Sequence, residues 1–395
     1  MKKQSQSGLS MIELLVALAI STVLVLGATT LFVRSRATYD QNEATARLQE
    51  TARFAMSVIE PDVRAADYWG LLKGGWQLQG KAEGVDGAVA TAAAPVSQQA
   101  GATAAPVAAN PEALVCGNNF ATDTDTPIQG DNDDYQLSAT IGAGCNTLPL
   151  DAAAPGLTWT TAAMASSDTL TVRRAAVCSA DPNNNGDLTD STCPVQQAGR
   201  LQICSTRNSA VLFSDGLTPC ANWPAAQLSN LSVTTYYIDT NSDQAGLPAL
   251  RRKVLTSAGG AVRFEDQEII PGVEDFQVQF GIQPNFANSP VAGTATATSY
   301  VNPGDPRLVG GQIVAVRIWL LLRSDTPEPG FVDNRIYEYA NRLQATGITG
   351  DLNSAGARGR AYQPSQSADA SFTGPQRYRR LLVSRTIQIR NATGT

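Results

Sequence analysis

From Leu9 to Val33 the chain runs 25 residues with a single charge, Glu13. A run of that length and purity predicts a membrane-spanning helix. At ~1.5 Å per residue it reaches roughly 37 Å, enough to cross the hydrocarbon core with some tilt. The pattern then becomes amphipathic. Arg34 to Ile59 contains no Gly or Pro, and Ala44, Leu48, Ala52, Ala55 and Ile59 recur at spacings of three to four, with Arg47, Gln49, Glu50 and Arg53 between them. This predicts that the helix continues with one face laid on a sheet, and Pro61 predicts its break or kink. Further on the period falls to two. Strands are predicted at Thr169–Arg173, Leu201–Ile203, Ala210–Phe213, Leu231–Ile238, Ala249–Leu255 and Val262–Ile270, with Gly259-Gly260 as a hairpin turn between the last two. Gly272–Gly281 places Phe276, Val278 and Phe280 on one face. Ile313–Arg323 is almost continuously apolar, which predicts a central strand buried on both faces. Val314, Val316, Ile318, Leu320 and Leu322 form its inner face, against the long helix. Arg377–Asn391 reads as a last strand, and Arg335–Leu343 as a short helix.

The fold class is therefore α+β: one long N-terminal helix on an antiparallel sheet head with large insertions. Glu83–Ala113 is rich in Ala, Gly and Pro and is read as a surface excursion. Thr122–Asp134 is acidic and turn-rich. The insertion at 328–376, before the last strand, is expected to be exposed. Arg379, Arg380, Arg385 and Arg390 are either a partner-binding stripe or the solvent side of an edge strand that discourages further pairing. The second reading is preferred.

Charged residues make up 16% of the chain, below the ~25% of ordinary soluble domains, which suits an exported protein with a neutral polar surface. The net charge is −6, so counterion release offers little for nucleic acid, and none is expected as a partner. Six Cys (Cys116, Cys145, Cys178, Cys193, Cys204, Cys220) lie beyond the apolar run. An even number in an oxidising compartment suggests three disulfides. Short loops favour Cys116–Cys145, Cys178–Cys193 and Cys204–Cys220, but sequence leaves the other connectivities open. There is no His, so Ser-His-Asp and Cys-His catalysis and His-based metal sites are excluded. No P-loop, G-x-S-x-G or G-x-G-x-x-G occurs in the strand–helix context it needs, and no enzyme is expected. Asp181, Asn183 and Asn185 followed by Gly186 match the opening of a calcium loop, with Asp190 as a late carboxylate. Position 12 of that loop is Thr192 rather than Glu. A metal-free loop of Asx turns accounts for the same composition. Calcium is thus one of two readings, and no other cofactor is expected.

Lys2 and Lys3 precede the apolar run, which orients the N-terminus to the cytoplasm and exports the chain beyond Val33. The polar leader ends at Gly8, and "GLSMIELLVALAIS" resembles the prepilin motif of the type IV pilin family. The resemblance implies cutting between Gly8 and Leu9 by a membrane aspartyl prepilin peptidase and N-methylation of Leu9. Many major pilins begin with Phe; this chain would begin with Leu. Residues 1–8 would be the leader, 9–33 the transmembrane half of the helix, 34–60 its packed half and 61–395 the exported head. A carboxylate in a membrane helix costs roughly 2.5–3.5 kcal/mol on insertion scales. The resemblance implies that Glu13 offsets this by meeting the N-terminal amine of a neighbouring subunit.

Arg64–Gly70 resembles the segment after the helix in PilW-type minor pilins, with Asp67 where a Gly is expected. "PGVEDFQVQFG", "VAVRIWLLLRS" and "YRRLLVSRTIQIRN" resemble three signature strands of the same type. The matching stretches cover roughly the first 70 residues and about 40 later ones; Leu71–Asn230 is not covered. The resemblance implies a minor pilin that joins other minor pilins and the major pilin, primes pilus assembly and sits at the tip with an adhesin, its anchor in the inner membrane and its head in the periplasm. The alternatives are a J-type pseudopilin of type II secretion and a membrane-anchored periplasmic enzyme.

Overall fold

A computed structural model describes residues 10–72, 167–178, 199–213, 226–240, 246–258, 261–283, 297–308, 312–328, 330–342 and 376–393. It also describes short pieces at 74–75, 78–79, 124, 126–130, 132, 164, 193–197, 220, 242–244, 362 and 364. The 54-residue helix α1 (Met11–Arg64) dominates the shape; at ~1.5 Å per residue it is roughly 81 Å long. Its residues from Met11 to Asp40 are exposed. Contact with the head starts at Gln41, and Leu48, Ala52, Ala55, Met56, Ile59, Asp62 and Val63 are buried, the stripe expected for one face on a sheet.

Pro61, read in sequence as a break or kink, lies inside the helix, which runs on to Arg64. Its missing N–H removes one backbone bond, but the next turn is fastened from outside. Asp62 accepts from Arg174 Nη2 at 2.6 Å and from the Tyr236 hydroxyl at 2.6 Å, and Val63 is fully buried. Burial, then the Asp62 carboxylate, pushes the Tyr236 phenol well above its ordinary pKa, so it remains a donor.

Strands β1 (Leu78–Gln79), β2 (Ile128–Gln129), β3 (Leu170–Ala175), β4 (Gln202–Ser205), β5 (Ala210–Phe213), β6 (Gln227–Asp239), β7 (Ala249–Ala258) and β8 (Ala261–Pro271) form the first sheet. Its order is β1-β5-β4-β6-β3-β2, and the β7–β8 hairpin joins along the second half of β6. Apart from the short parallel pair β1–β5 the pairings are antiparallel. The second sheet, ordered β10-β9-β11-β12, contains β9 (Val273–Gln283), β10 (Ser299–Val301), β11 (Gln312–Arg323) and β12 (Arg380–Gln388), all antiparallel. Gly272 joins the sheets. Its φ of +85° turns the chain from β8 into β9, and a side chain there would press within 2.9 Å of the Arg323 carbonyl.

One core runs under the helix. Phe276, Val278 and Phe280 of β9, alternate residues Val314 to Leu322 of β11, and Ile387 and Ile389 meet the buried stripe of α1. Tyr236, Ile238 and Leu250 of the first sheet complete it. A second cluster, built on Trp69, Ile203, Leu212, Val233 and Tyr237, covers the other face of the first sheet. The outer face of β11 is also covered, since Leu321 packs against Tyr337, Tyr339 and Tyr362.

Those three tyrosines belong to the segment expected to be exposed and partly helical. Instead, residues 333, 337, 339, 341, 342 and 362 are buried. In place of the helix there are bridges pairing Tyr337 with Tyr362 and Tyr339 with Arg342. The cause is electrostatic. A bulge in β9 sets Val273 opposite Leu322 and Asp275 opposite Leu321, leaving Glu274 as the extra residue. Such a bulge re-aims side chains, and both acids are buried among cations and hydroxyls. Glu274 accepts from Arg380 Nη2 at 3.0 Å, Arg323 Nη1 at 3.0 Å and the Tyr362 hydroxyl at 2.8 Å. Asp275 accepts from Arg342 Nε at 2.8 Å and the Tyr339 hydroxyl at 2.6 Å. Arg380 is therefore not on the solvent side of an edge strand; it is 4% exposed, beneath this strap.

Candidate assembly site

The helix begins at Ser10, where extended backbone (φ −73°, ψ 150°) gives way to helical turns. Ser10 and Glu13 cap each other. The Glu13 N–H donates to Ser10 Oγ at 3.3 Å, and the Ser10 N–H donates to Glu13 Oε2 at 2.9 Å. The S-x-x-E spacing is legible in sequence as a capping box, a role for Ser10 that the sequence reading missed. The bond from Ser10 uses Oε2 of Glu13.

Beyond this cap the side chains that face out are apolar: Met11 is 87% exposed, Leu31 70% and Phe32 69%. The hydroxyls among them are turned inward. Ser21 donates to the Leu18 carbonyl at 2.9 Å, Thr22 to Ala19 at 2.8 Å, Thr29 to Val25 at 2.9 Å and Thr30 to Gly27 at 2.8 Å. A helix in hydrocarbon must satisfy its polar groups internally, and this one does. By length and composition α1 is the one helix among the described residues able to cross a membrane. The site is therefore an apolar rod with one acid in its first turn, packed at its far end on the sheets of the head.

A family model for prokaryotic N-terminal methylation motifs matches residues 3–29, and a model for type IV pilus-assembly protein W matches residues 235–391. The chain thus carries the N-terminal motif of the type IV pilins and, over its last strands, is similar to the PilW-type minor pilins. The PilW match spans β7 to β12 and the end of β6. Among solved structures, a type IV-like pilin from Thermus thermophilus is similar at 11% identity and a TM-score of 0.23, over 57% of this chain and 79% of that one. No curated protein matches the chain.

Gly8 and Leu9, the expected cutting and methylation positions, lie outside the described residues, as do Cys116 and Cys145. The structure bonds Cys178 to Cys193 and Cys204 to Cys220. Asp181, Asn183, Asn185 and Asp190, the calcium candidates, also lie outside the described residues. Among the described residues no group of three or more His, Cys, Asp or Glu is placed to hold a metal ion.

The arginines of the last strand divide. Arg379 joins Glu328, which also accepts from Gln41 of the helix at 2.9 Å. Arg385 meets Glu60 of the helix at 2.9 Å. Arg390 is exposed, and its N–H donates to the Arg64 carbonyl at 3.1 Å. The stripe read in sequence thus contributes to fastening the helix to the head as well as to the surface.

Proposed function

We propose that the chain is a non-catalytic minor pilin that helps prime type IV pilus assembly and sits at or near the pilus tip. Residues 1–8 are removed as a leader, Leu9 is methylated, residues 9–33 lie in the inner membrane and the head lies in the periplasm. The observation that carries this reading is the exposed apolar helix with Glu13 in its first turn. Such a surface stays in water only at high cost, and a carboxylate within it calls for a cation. The methylated amine of a neighbouring pilin answers that need, so helix enters beside helix in a bundle with other minor pilins and the major pilin. Head-to-head packing then orders the complex, with an adhesin as a further partner. The match to the pilus-assembly family favours a pilus over a secretion pseudopilin.

Glu13→Gln is expected to leave leader cleavage intact and to remove the protein from sheared pili. Mass spectrometry of the mature N-terminus and immunoblots of the sheared fraction read the two steps separately. Normal incorporation of the variant, or wild-type protein still carrying Met1, would overturn the proposal.

A further inference from the structure

Strand β12 is an end of the second sheet and pairs only with β11 among the described strands. The Ser324 N–H donates to the Arg379 carbonyl at 2.8 Å and the Ile389 N–H to the Val314 carbonyl at 3.0 Å, with unbroken register between. Residues of an antiparallel ladder alternate between bonding the neighbour and facing away. The odd-numbered residues of β12 therefore bond β11. Leu382, Ser384 and Thr386 turn their backbone N–H and C=O groups to the edge left unpaired among the described strands, a template for another strand.

Beside that edge lies a groove of about 390 Å³, lined by Gln49, Arg53 and Met56 of the helix and by Leu381, Val383 and Arg385 of β12. A second hollow next along the helix holds Arg64 and Arg390. Glu60 stands between them, bonded to Arg385 at 2.9 Å and to Arg64 at 2.5 Å. Arg53 and Arg385 thus line the groove, which contains no carboxylate among its described lining residues. Anionic lipid is too distant to be the counterpart. Arg53 lies roughly 30 Å along the helix from Val33, several Debye lengths from a bilayer that contains the apolar stretch.

We propose that the β12 edge accepts an acidic, extended segment of a partner protein as a fifth strand. Its backbone pairs with Leu382, Ser384 and Thr386. Its apolar side chains cover Met56, Leu381 and Val383, and its carboxylates meet Arg53 and Arg385. Main-chain bonds supply affinity and the cationic groove selects the sequence. The inference goes beyond pilus assembly and is testable on the purified chain whether or not that reading holds.

The probe is a labelled synthetic peptide as long as β12, with threonine at every second position and valine and glutamate in turn between them. Full-length protein in detergent is titrated by fluorescence anisotropy, with a lysine-for-glutamate peptide as the control. Carbonyl-labelled peptide is followed by infrared spectroscopy. The glutamate peptide is expected to bind and to shift its amide band to the antiparallel-sheet position, while the lysine peptide does not bind. Ser384→Pro, which blocks an edge donor without touching the β11 ladder, is expected to weaken binding by about tenfold or more. Arg53→Glu, on the exposed helix face, is expected to weaken it severalfold, and unchanged melting of both variants shows that they fold. Equal binding by Ser384→Pro or by the lysine peptide, an amide band that stays at the coil position, or no binding of the glutamate peptide overturns the proposal.

Discussion

Two residues after the helix show how backbone conformation selects side chains. Asp67 has φ +63° and Gly70 φ +77°, the left-handed region where Gly is at ease and an Asp is tolerated. That explains why the related motif carries Gly where this chain has Asp67. The side chain is put to use, since its Oδ1 accepts from Trp69 Nε1 at 2.7 Å. Gly70 has no such latitude, because a side chain would lie 2.3 Å from Ser205 Oγ, the atom that accepts the Leu71 N–H at 3.1 Å. Gly70→Ala is expected to destabilise the head by about 2 kcal/mol or more, read as a lowered denaturation midpoint. Glu328 carries a pH dependence. The hydrogen bond from Arg379 and the one from Gln41 outweigh desolvation and hold its carboxyl below the ordinary 4.5. A depressed carboxylate stabilises the fold fully above its unfolded value, and that stability is lost as pH falls through the folded value. Melting temperature should therefore drop on acidification below about pH 4.5, and by less in Glu328→Gln.

Among elements, legibility followed period. The helix and the strands from β3 to β9, with β11 and β12, were readable because their apolar residues recur at 3.6 or at two. Strands β1, β2 and β10 span two or three residues, too few to carry a period, and exist because neighbours offer an edge. The strap was misread for a different reason. Ile336, Tyr339, Ala340 and Leu343 are spaced as on a helix face, yet Tyr337, Tyr339 and Arg342 are claimed by Glu274 and Asp275 through Tyr362 and direct bonds. Neither acid advertises this in sequence, because a plain alternating strand would have sent them to opposite faces; the bulge is a tertiary fact. Glu274→Gln leaves Arg323 and Arg380 buried around a neutral side chain, at a cost of roughly 3–5 kcal/mol. Tyr362→Phe removes one hydrogen bond and should cost about 1 kcal/mol. Similar losses for the two variants in denaturant titrations would show that the acid is not the keystone of the strap.

For the whole molecule, the Cys178–Cys193 and Cys204–Cys220 bonds close loops of 15 and 16 residues, each expected to stabilise by roughly 3 kcal/mol through the unfolded chain. Both sit on the first sheet side, and the helix packs mainly on β11 and β12. Reductant should therefore lower the melting temperature while leaving the helix docked, seen as retained protection of the Leu48–Val63 amides in hydrogen exchange.

The clamp of Glu274, Asp275 and their partners also bears on how such a head diversifies. Arg342 and Tyr362, at the two ends of the stretch 343–361, are both bolted to β9. Doubling the length of a chain between fixed ends costs only about 0.6 kcal/mol. Insertions between those two positions should therefore be tolerated while the two sheets keep their register.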